Sequence, residues 1–539
     1  MKQLWQKVCS YFGGVPFWVL TLYTTVMLVL QPFQSGLHSV AYIAVTGLIV
    51  LILSALLWPV LLRFFSKLHI CPRVQKDQES VLHKIGVNCP FYLIPLAVFL
   101  LYFIAYYPGG FSFDSMEQYI QTLSNQYNDW HPVLHTLLTF KLPLLLTGGW
   151  IGSVVLLQSL CWCGVIGYAC QVIRKHFGIW PAVITMAYIL INPLMMLTSM
   201  HPWKDVGFAI CALLLGTYAL QAVVTKGAWL QKPLNMVCFA VAVVVTTIVR
   251  HNGILFTAPV IVAMLLFLSW KRGLTLCLGI VLLFGMVKGP IYGLFKVEDP
   301  GLRQVETLGL PMTIICTVAH ECPEQLDDQT KEFISRFSPP EAWEESFEFG
   351  NFNSIKHDSR TNIALIEEYG AKEILSMMLR CIKASPTTAL RSVLMLTGQT
   401  YYLRGASTGY IEPNVMKTPY IQQENYAPLR NFFSDYADVI ANYFSSIFMC
   451  LGIAHLILLI LILLKCNLKK RQGWSKLLIG IAIFSYNFGT ALLLSSSGDI
   501  FRFFFYTFPL MPVVILLLLC DHKERSKPLF AWLKKCKKF

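Results

Sequence analysis

The chain has 539 residues, 55% of them hydrophobic and only 13% charged, with a mean hydropathy of +0.58 and a formal net charge of +14. No soluble domain of this size has such a composition, and uninterrupted apolar runs of about 17–25 residues recur, the length a helix needs to cross roughly 30 Å of hydrocarbon. A transmembrane β-barrel would instead alternate apolar and polar residues with period two, so the expectation is an all-α polytopic membrane protein.

Lys2 and Lys7 precede the first apolar run, and no small-residue cleavage site follows it. It reads as an uncleaved first span rather than a signal peptide. The spans fall at about 15–30, 40–62, 90–107, 150–173, 178–198, 206–224, 233–249, 253–269, 274–294, 441–464, 476–494 and 503–520, twelve in all. The segment 133–147 is apolar but short, carries Lys141 in its middle and ends at Gly148-Gly149.

Loop charge assigns that segment. If 133–147 does not cross, the basic clusters all fall on one side: Lys2/Lys7, Arg63 to Lys84, Arg174/Lys175, Lys226/Lys232, Lys271/Arg272, Lys465 to Arg471 and the tail Lys523 to Lys538. The excess of Lys and Arg on the cytoplasmic side then places both termini there, with 133–147 lying in the outer interface. The expected divisions are 1–295, with a first outward loop at 107–149; 296–440, a mostly helical extracytoplasmic region; and 441–539, ending in a basic cytoplasmic tail that rests on anionic lipid.

Region 296–440 holds 13 Lys and Arg against 20 Asp and Glu, which leaves 30 and 9 for the rest of the chain. The overall positive charge is therefore a property of the cytoplasmic loops, and no nucleic-acid partner is implied. Ala371 to Leu403 reads as amphipathic helices broken at Pro386, with loops at Ser338-Pro339-Pro340 and Gly405-Ala406-Ser407. Most of the 16 cysteines lie in apolar runs, where Cys acts as a small hydrophobe. Only Cys316, Cys322 and Cys381 fall in this region, so a disulfide could join two of the three.

Under this topology the ionisable residues at span ends collect on the outer side: Asp114, Glu117, Asp129, His131 and His135; His201, Lys204 and Asp205; Arg250, His251 and Asn252; Asp499 and Arg502. Such groups are costly unless hydrated or paired, which points to a shared polar cavity, with ordinary interfacial residue choice as the bland alternative. From Tyr106 to Pro132 there is no Lys or Arg. Asp114-x-x-Glu117 has capping-box spacing, and Met116, Tyr119, Ile120, Leu123 and Tyr127 repeat as one apolar helical face, so Asp114 could simply cap an amphipathic helix. The preceding Pro108-Gly109-Gly110 kink favours the alternative, a carboxylate that accepts a proton from an acceptor hydroxyl or holds a divalent cation, Mg or Mn, beside a phosphate.

Asn128-Asp129-Trp130-His131-Pro132 reads as a turn, since Pro132 disfavours helix at His131. Asp129 is either a helix-start residue or a site residue, and His131 would pair with a carboxylate that tunes it near neutral pH. Lys204, Arg250 and Arg502 run against the charge bias of their side. They either form local salt bridges, Lys204/Asp205 and Asp499/Arg502, or bind phosphate.

The motifs Tyr-Pro-Gly-Gly-Phe-Ser-Phe-Asp-Ser from Tyr107, Asn-Asp-Trp-His-Pro-Val from Asn128, Trp203-Lys204-Asp205-Val206 and Arg250-His251-Asn252-Gly253 resemble a bacterial family of uncharacterised polytopic GT-C-like membrane proteins. The wider order of elements resembles the GT-C glycosyltransferases, which place an acidic residue on a jaw helix in the first long outward loop. That resemblance implies a bacterial plasma-membrane enzyme that moves a sugar from a polyprenyl-phosphate-linked donor to an envelope glycan, lipid or protein. Asp114 would be general base or metal ligand, supported by Asp129 and His131. Glu117, His201, Lys204, Asp205, Arg250, His251, Asn252 and Arg502 would hold substrate and its phosphate. The chain departs from the characterised mannosyltransferases in having Ser115, not Glu, after Asp114, and in lacking a second DxD-type motif. A transporter or lipid flippase for envelope precursors, and a non-enzymatic assembly protein that docks partners on 296–440, are the alternatives.

Overall fold

The structure, a computed structural model, describes residues 14–33, 40–73, 81–299, 301, 303–402, 412–422, 426–444, 448–493 and 500–521. Lys2, Lys7, Lys76, Gly405-Ala406-Ser407, Asp499 and the tail from Lys523 lie outside the described residues. Among the described residues the fold is all-α, with isolated bridges such as Asn128 to Glu298 in place of strands.

Among the described residues seven helices are long and apolar enough to cross a membrane: Ala41–Lys67, Ile85–Ala105, Gly152–Phe177, Lys204–Val224, Trp270–Leu294, Arg471–Leu493 and Arg502–Leu519. An eighth is bent. The stretch expected as one span over 178–198 is two helices, Ile179–Ile191 and Pro193–Ser199, meeting at 68°. Pro193 disfavours helical backbone at the residue before it and suits the first position of the helix that follows. Asn192 accordingly takes φ −80°, ψ 102°, and its Oδ1 accepts from the N–H groups of Leu194 and Met195 at 3.1 and 3.4 Å, an N-cap in the middle of an apolar run.

The other expected spans coincide with shorter apolar helices, Val15–Leu30, Pro233–Val249, Ile254–Leu265 and Leu451–Lys465. The last begins ten residues later than expected, because Cys450 is extended and Ile440–Phe444 continues the helix before it. Val133–Leu146 is about 21 Å long at 1.5 Å per residue. It contains a π-helical stretch at Thr136–Lys141, and Lys141 Nζ donates to Asn125 Oδ1 at 2.5 Å.

The helix ends sort by chemistry. Lys226 and Lys232, Lys271 and Arg272, and Lys469 to Arg471 sit at one set of ends, joined by Arg272 to Gln231 at 3.1 Å and Gln472 to the Val223 carbonyl at 3.1 Å. Lys204, Arg250, Lys288, Thr490 and Arg502 sit at the opposite ends of the same helices and face one cavity. Between the two ends the interior is close-packed: a Cβ on Gly216 would lie 2.3 Å from the tip of the Leu510 side chain, where Lys204–Val224 meets Thr507–Leu519.

Residues 305–389 bury a core of their own. Its centre is Gly309–Glu321, apolar on all sides and buried from Pro311 to Ala319, as a helix enclosed by others must be. Ala364–Ala384 and Pro386–Thr397 pack on it, and Phe333, Phe337 and Phe352 fill the rest. Cys316, Cys322 and Cys381 are all free thiols, so no bridge joins any two of them.

Candidate functional site

Two of the motifs clasp each other at the start of the site. Gly109 has φ +119°, and a Cβ there would lie 2.4 Å from Val155; a Cβ on Gly110 would lie 2.2 Å from the His201 ring. The Gly110 N–H donates to the Met200 carbonyl at 2.9 Å. His201 stacks on Trp203 with centroids 3.9 Å apart, and Trp203 Nε1 donates to Ser112 Oγ at 2.7 Å. Gly110→Ala should therefore cost about 1–3 kcal/mol, the usual range for overpacking. Thermal unfolding of purified protein should show a lowered Tm, whereas Gly86→Ala, at a position with open space around it, should not.

The kink delivers the helix Phe113–Ser124. Ser112 is its N-cap, and Asp114 sits inside the first turn, so Asp114 does not cap the helix and its carboxylate is left to other partners. The helix also turns an unexpected face inward. Ser115, Gln118, Gln121 and Thr122 are buried with Met116 and Tyr119, while Ile120 and Leu123 are 46% and 52% exposed. The single apolar face expected from periodicity is thus split, because polar partners lie beneath: Gln118 Oε1 accepts from His135 Nδ1 at 2.7 Å and from Thr136 Oγ1 at 3.1 Å.

Asp114 Oδ2 accepts from Arg502 Nη2 at 2.8 Å. The Arg502 guanidinium lies over Trp203 and Phe503, and its Nε is 3.8 Å from Asp205 Oδ2. Asp205 Oδ1 accepts from Arg250 Nη1, so one buried carboxylate braces both arginines. Arg250 rests over Phe503 and Tyr486, and Tyr486 stacks on Phe208 at 4.6 Å. Lys204 Nζ donates to His131 Nδ1 at 3.0 Å. With that nitrogen accepting, the proton sits on Nε2 and is donated to Glu117 Oε2 at 3.1 Å. Asp129 accepts from Lys288 Nζ at 2.8 Å and Tyr292 OH at 3.1 Å.

Burial alone would raise the Asp114 carboxyl, but Arg502, Lys204 and His131 outweigh it and bring it down to about 2. The hydrogen bond from His131 lowers Glu117. Both carboxylates are therefore held ionised by cationic or donor neighbours.

Asp114, Asp129, His131, Lys204, Arg250 and Arg502 line a cavity of about 610 Å³. Five cations, Lys204, Arg250, Lys288, Lys356 and Arg502, face three carboxylates, Asp114, Asp129 and Glu306. The helices Lys204–Val224 and Ile254–Leu265 both begin at its wall and add the positive ends of their dipoles. Together these favour an anionic occupant.

Compared with family models, curated proteins and solved structures, the chain matches none. Function must be read from the site itself. Of the residues singled out in the sequence, Asp114, Asp129, His131, Lys204, Arg250, His251, Asn252 and Arg502 line the cavity. Asp205 lies behind it, bonded to Arg250 and 3.8 Å from Arg502 Nε. Glu117 stands in the wall toward a neighbouring groove, and His201 supports the Gly109-Gly110 turn outside the lining. The expected Lys204/Asp205 pair does not form as drawn, since Lys204 bonds His131; Arg502 bonds Asp114, and Asp499, its expected partner, lies outside the described residues.

Sequence reasoning missed Lys288, Glu306, Lys356 and His357. Lys288 stands within an otherwise apolar run, which is itself a signal. Lys356 and Glu306 pair at 2.7 Å and come from the 303–402 region, where charge is common and nothing marks one residue over another. A resident divalent cation does not suit the donors present: among the described residues no three His, Cys, Asp or Glu groups converge, and Asp114 is already surrounded by Arg502, Lys204 and His131.

Proposed function

We propose that the protein is a membrane glycosyltransferase that moves a sugar from a polyprenyl-phosphate donor to a cell-envelope acceptor. The observation that carries this reading is the Asp114 carboxylate paired with Arg502 inside a cavity with an excess of cations. In this reading the chain makes twelve spans in a bacterial plasma membrane, with both termini cytoplasmic and Phe113–Ser124 as a jaw helix on the extracytoplasmic face. The gathering of basic residues at the helix ends opposite the cavity supports that orientation.

The donor phosphate would draw Arg502 and Lys204 onto its oxygens. An Asp114 carboxyl at about 2 is too weak a base for a hydroxyl while Arg502 holds it. Transfer of the guanidinium to phosphate would free the carboxylate and raise its basicity at the moment of need. The acceptor oxygen then bonds the anomeric carbon and its proton passes to Asp114. The carbon–oxygen bond to phosphate breaks, and polyprenyl phosphate leaves with the electron pair, its charge met by Arg502 and Lys204.

Asp114→Asn is expected to lower transfer from a defined lipid-linked sugar by at least 10²-fold in purified protein, with the Tm preserved; unchanged transfer would remove Asp114 from the chemistry. The 68° bend at Asn192 favours a second reading, a transporter with a broken helix. Uptake of a polyprenyl-phosphate sugar across proteoliposomes, without its consumption, would support that one.

A further inference from the structure

Of the five Lys and Arg side chains on the cavity lining, Arg250, Lys288, Lys356 and Arg502 each pair with a carboxylate. Lys204 does not. Among the described residues its ammonium makes one hydrogen bond, to a ring nitrogen, His131 Nδ1 at 3.0 Å. An ammonium has three N–H donors, so two remain for an anion, and no ion pair has to break first. Lys204 also opens the helix Lys204–Val224, where its charge adds to the positive end of the helix dipole.

Two hydrogen bonds in series aim this ammonium, and they lead out of the cavity. An ammonium only donates, so His131 Nδ1 is without a proton and the ring carries its hydrogen on Nε2. Glu117 Oε2 accepts that Nε2–H at 3.1 Å. The ring is 2% exposed, and the bond made at one nitrogen decides which nitrogen holds the proton. Glu117 itself is not on the lining: it stands in the wall of the neighbouring groove, its side chain 34% exposed. A carboxylate there does not bind phosphate; as a charge it repels one.

We propose that Glu117 is a positioning residue for a bound phosphate. By accepting from Nε2 it keeps Nδ1 bare, and Nδ1 holds the Lys204 ammonium in the cavity as the anchor of the anion. With the proton on Nδ1, a donor would face the ammonium and the two would part. That the phosphate belongs to a lipid-linked sugar rests on the transferase reading; the anchor stands on the cavity alone.

The variants Glu117→Gln and Glu117→Leu separate the two effects of the carboxylate. Both remove its charge, which alone would raise phosphate affinity in both. Only glutamine keeps an oxygen for Nε2–H. Calorimetric titration of the full chain in maltoside detergent with inorganic phosphate should show Glu117→Gln binding at least as tightly as wild type. Glu117→Leu should bind about fivefold or more weakly than Glu117→Gln, the worth of one hydrogen bond. In wild-type protein carrying isotope-labelled histidine, NMR should show His131 Nδ1 bare and Nε2 protonated at neutral pH, a readout that needs no variant to fold. Equal affinities in the two variants, a proton on Nδ1, or no phosphate binding by wild type would overturn the proposal. A chain that shows the expected pattern but transfers no sugar would sink the transferase reading and leave this one standing; transfer with equal affinities would do the reverse.

Discussion

Arg502→Gln is expected to weaken binding of a short-chain polyprenyl phosphate by roughly 30–1000-fold, about 2–4 kcal/mol, as measured by isothermal titration. The residue supplies the direct partner of Asp114 and stands over Trp203, so the guanidinium is already oriented toward the cavity. Asp114→Asn should act with the opposite sign on the same measurement. Removing the carboxylate releases Arg502 from its competitor, so phosphate affinity should rise even as transfer falls. Two variants of one ion pair that both weaken phosphate binding would contradict the exchange of partners.

The pH dependence follows from the same pair. The folded Asp114 carboxyl lies at about 2, below its ordinary 3.8, so its pairing is fully present above about 3.8 and is lost as pH falls toward 2. Between about pH 5 and 8 the carboxyl paired with Arg502 stays ionised, but phosphate that takes Arg502 away raises its basicity, so phosphate affinity should gain more in wild type than in Asp114→Asn as pH falls.

Arg250→Met is expected to destabilise the fold by about 3–5 kcal/mol, because it strands the Asp205 carboxylate in an interior where that side chain is 1% exposed. A large drop in Tm in detergent should accompany it. The double variant Arg250→Met/Asp205→Leu should recover much of the loss, since a volume-matched apolar pair no longer buries a charge. Equal losses in the single and double variants would show that the aromatic bed of Phe503 and Tyr486, rather than charge pairing, governs this position.

Composition and apolar run length were enough to read the class of the fold, because burial in lipid leaves no other use for so many solid apolar segments. The bend at Asn192 was written in Asn-Pro but hidden by the surrounding hydrophobicity. Asp114, Lys204, Arg250 and Arg502 stood out as charges in apolar company, and the cavity that unites them is the physical reason such charges are tolerated. Their pairing was not legible. Sequence neighbours Lys204 and Asp205 point to different partners, since adjacent residues on a helix diverge by about 100°. The inward polar face of Phe113–Ser124 escaped for a related cause: periodicity reports how side chains are grouped around a helix, not which group the neighbours will prefer.

The lining is contributed from residue 114 through residue 503, and the arginine that holds Asp114 is made 388 residues after it. A nascent chain halted before residue 500 carries Asp114 without that partner and Asp205 with only one of its two arginines. The two halves of the ion pair are thus brought together only after 388 further residues are made, and a truncation that removes Arg502 but nothing from the first loop would still leave that loop's carboxylate unanswered.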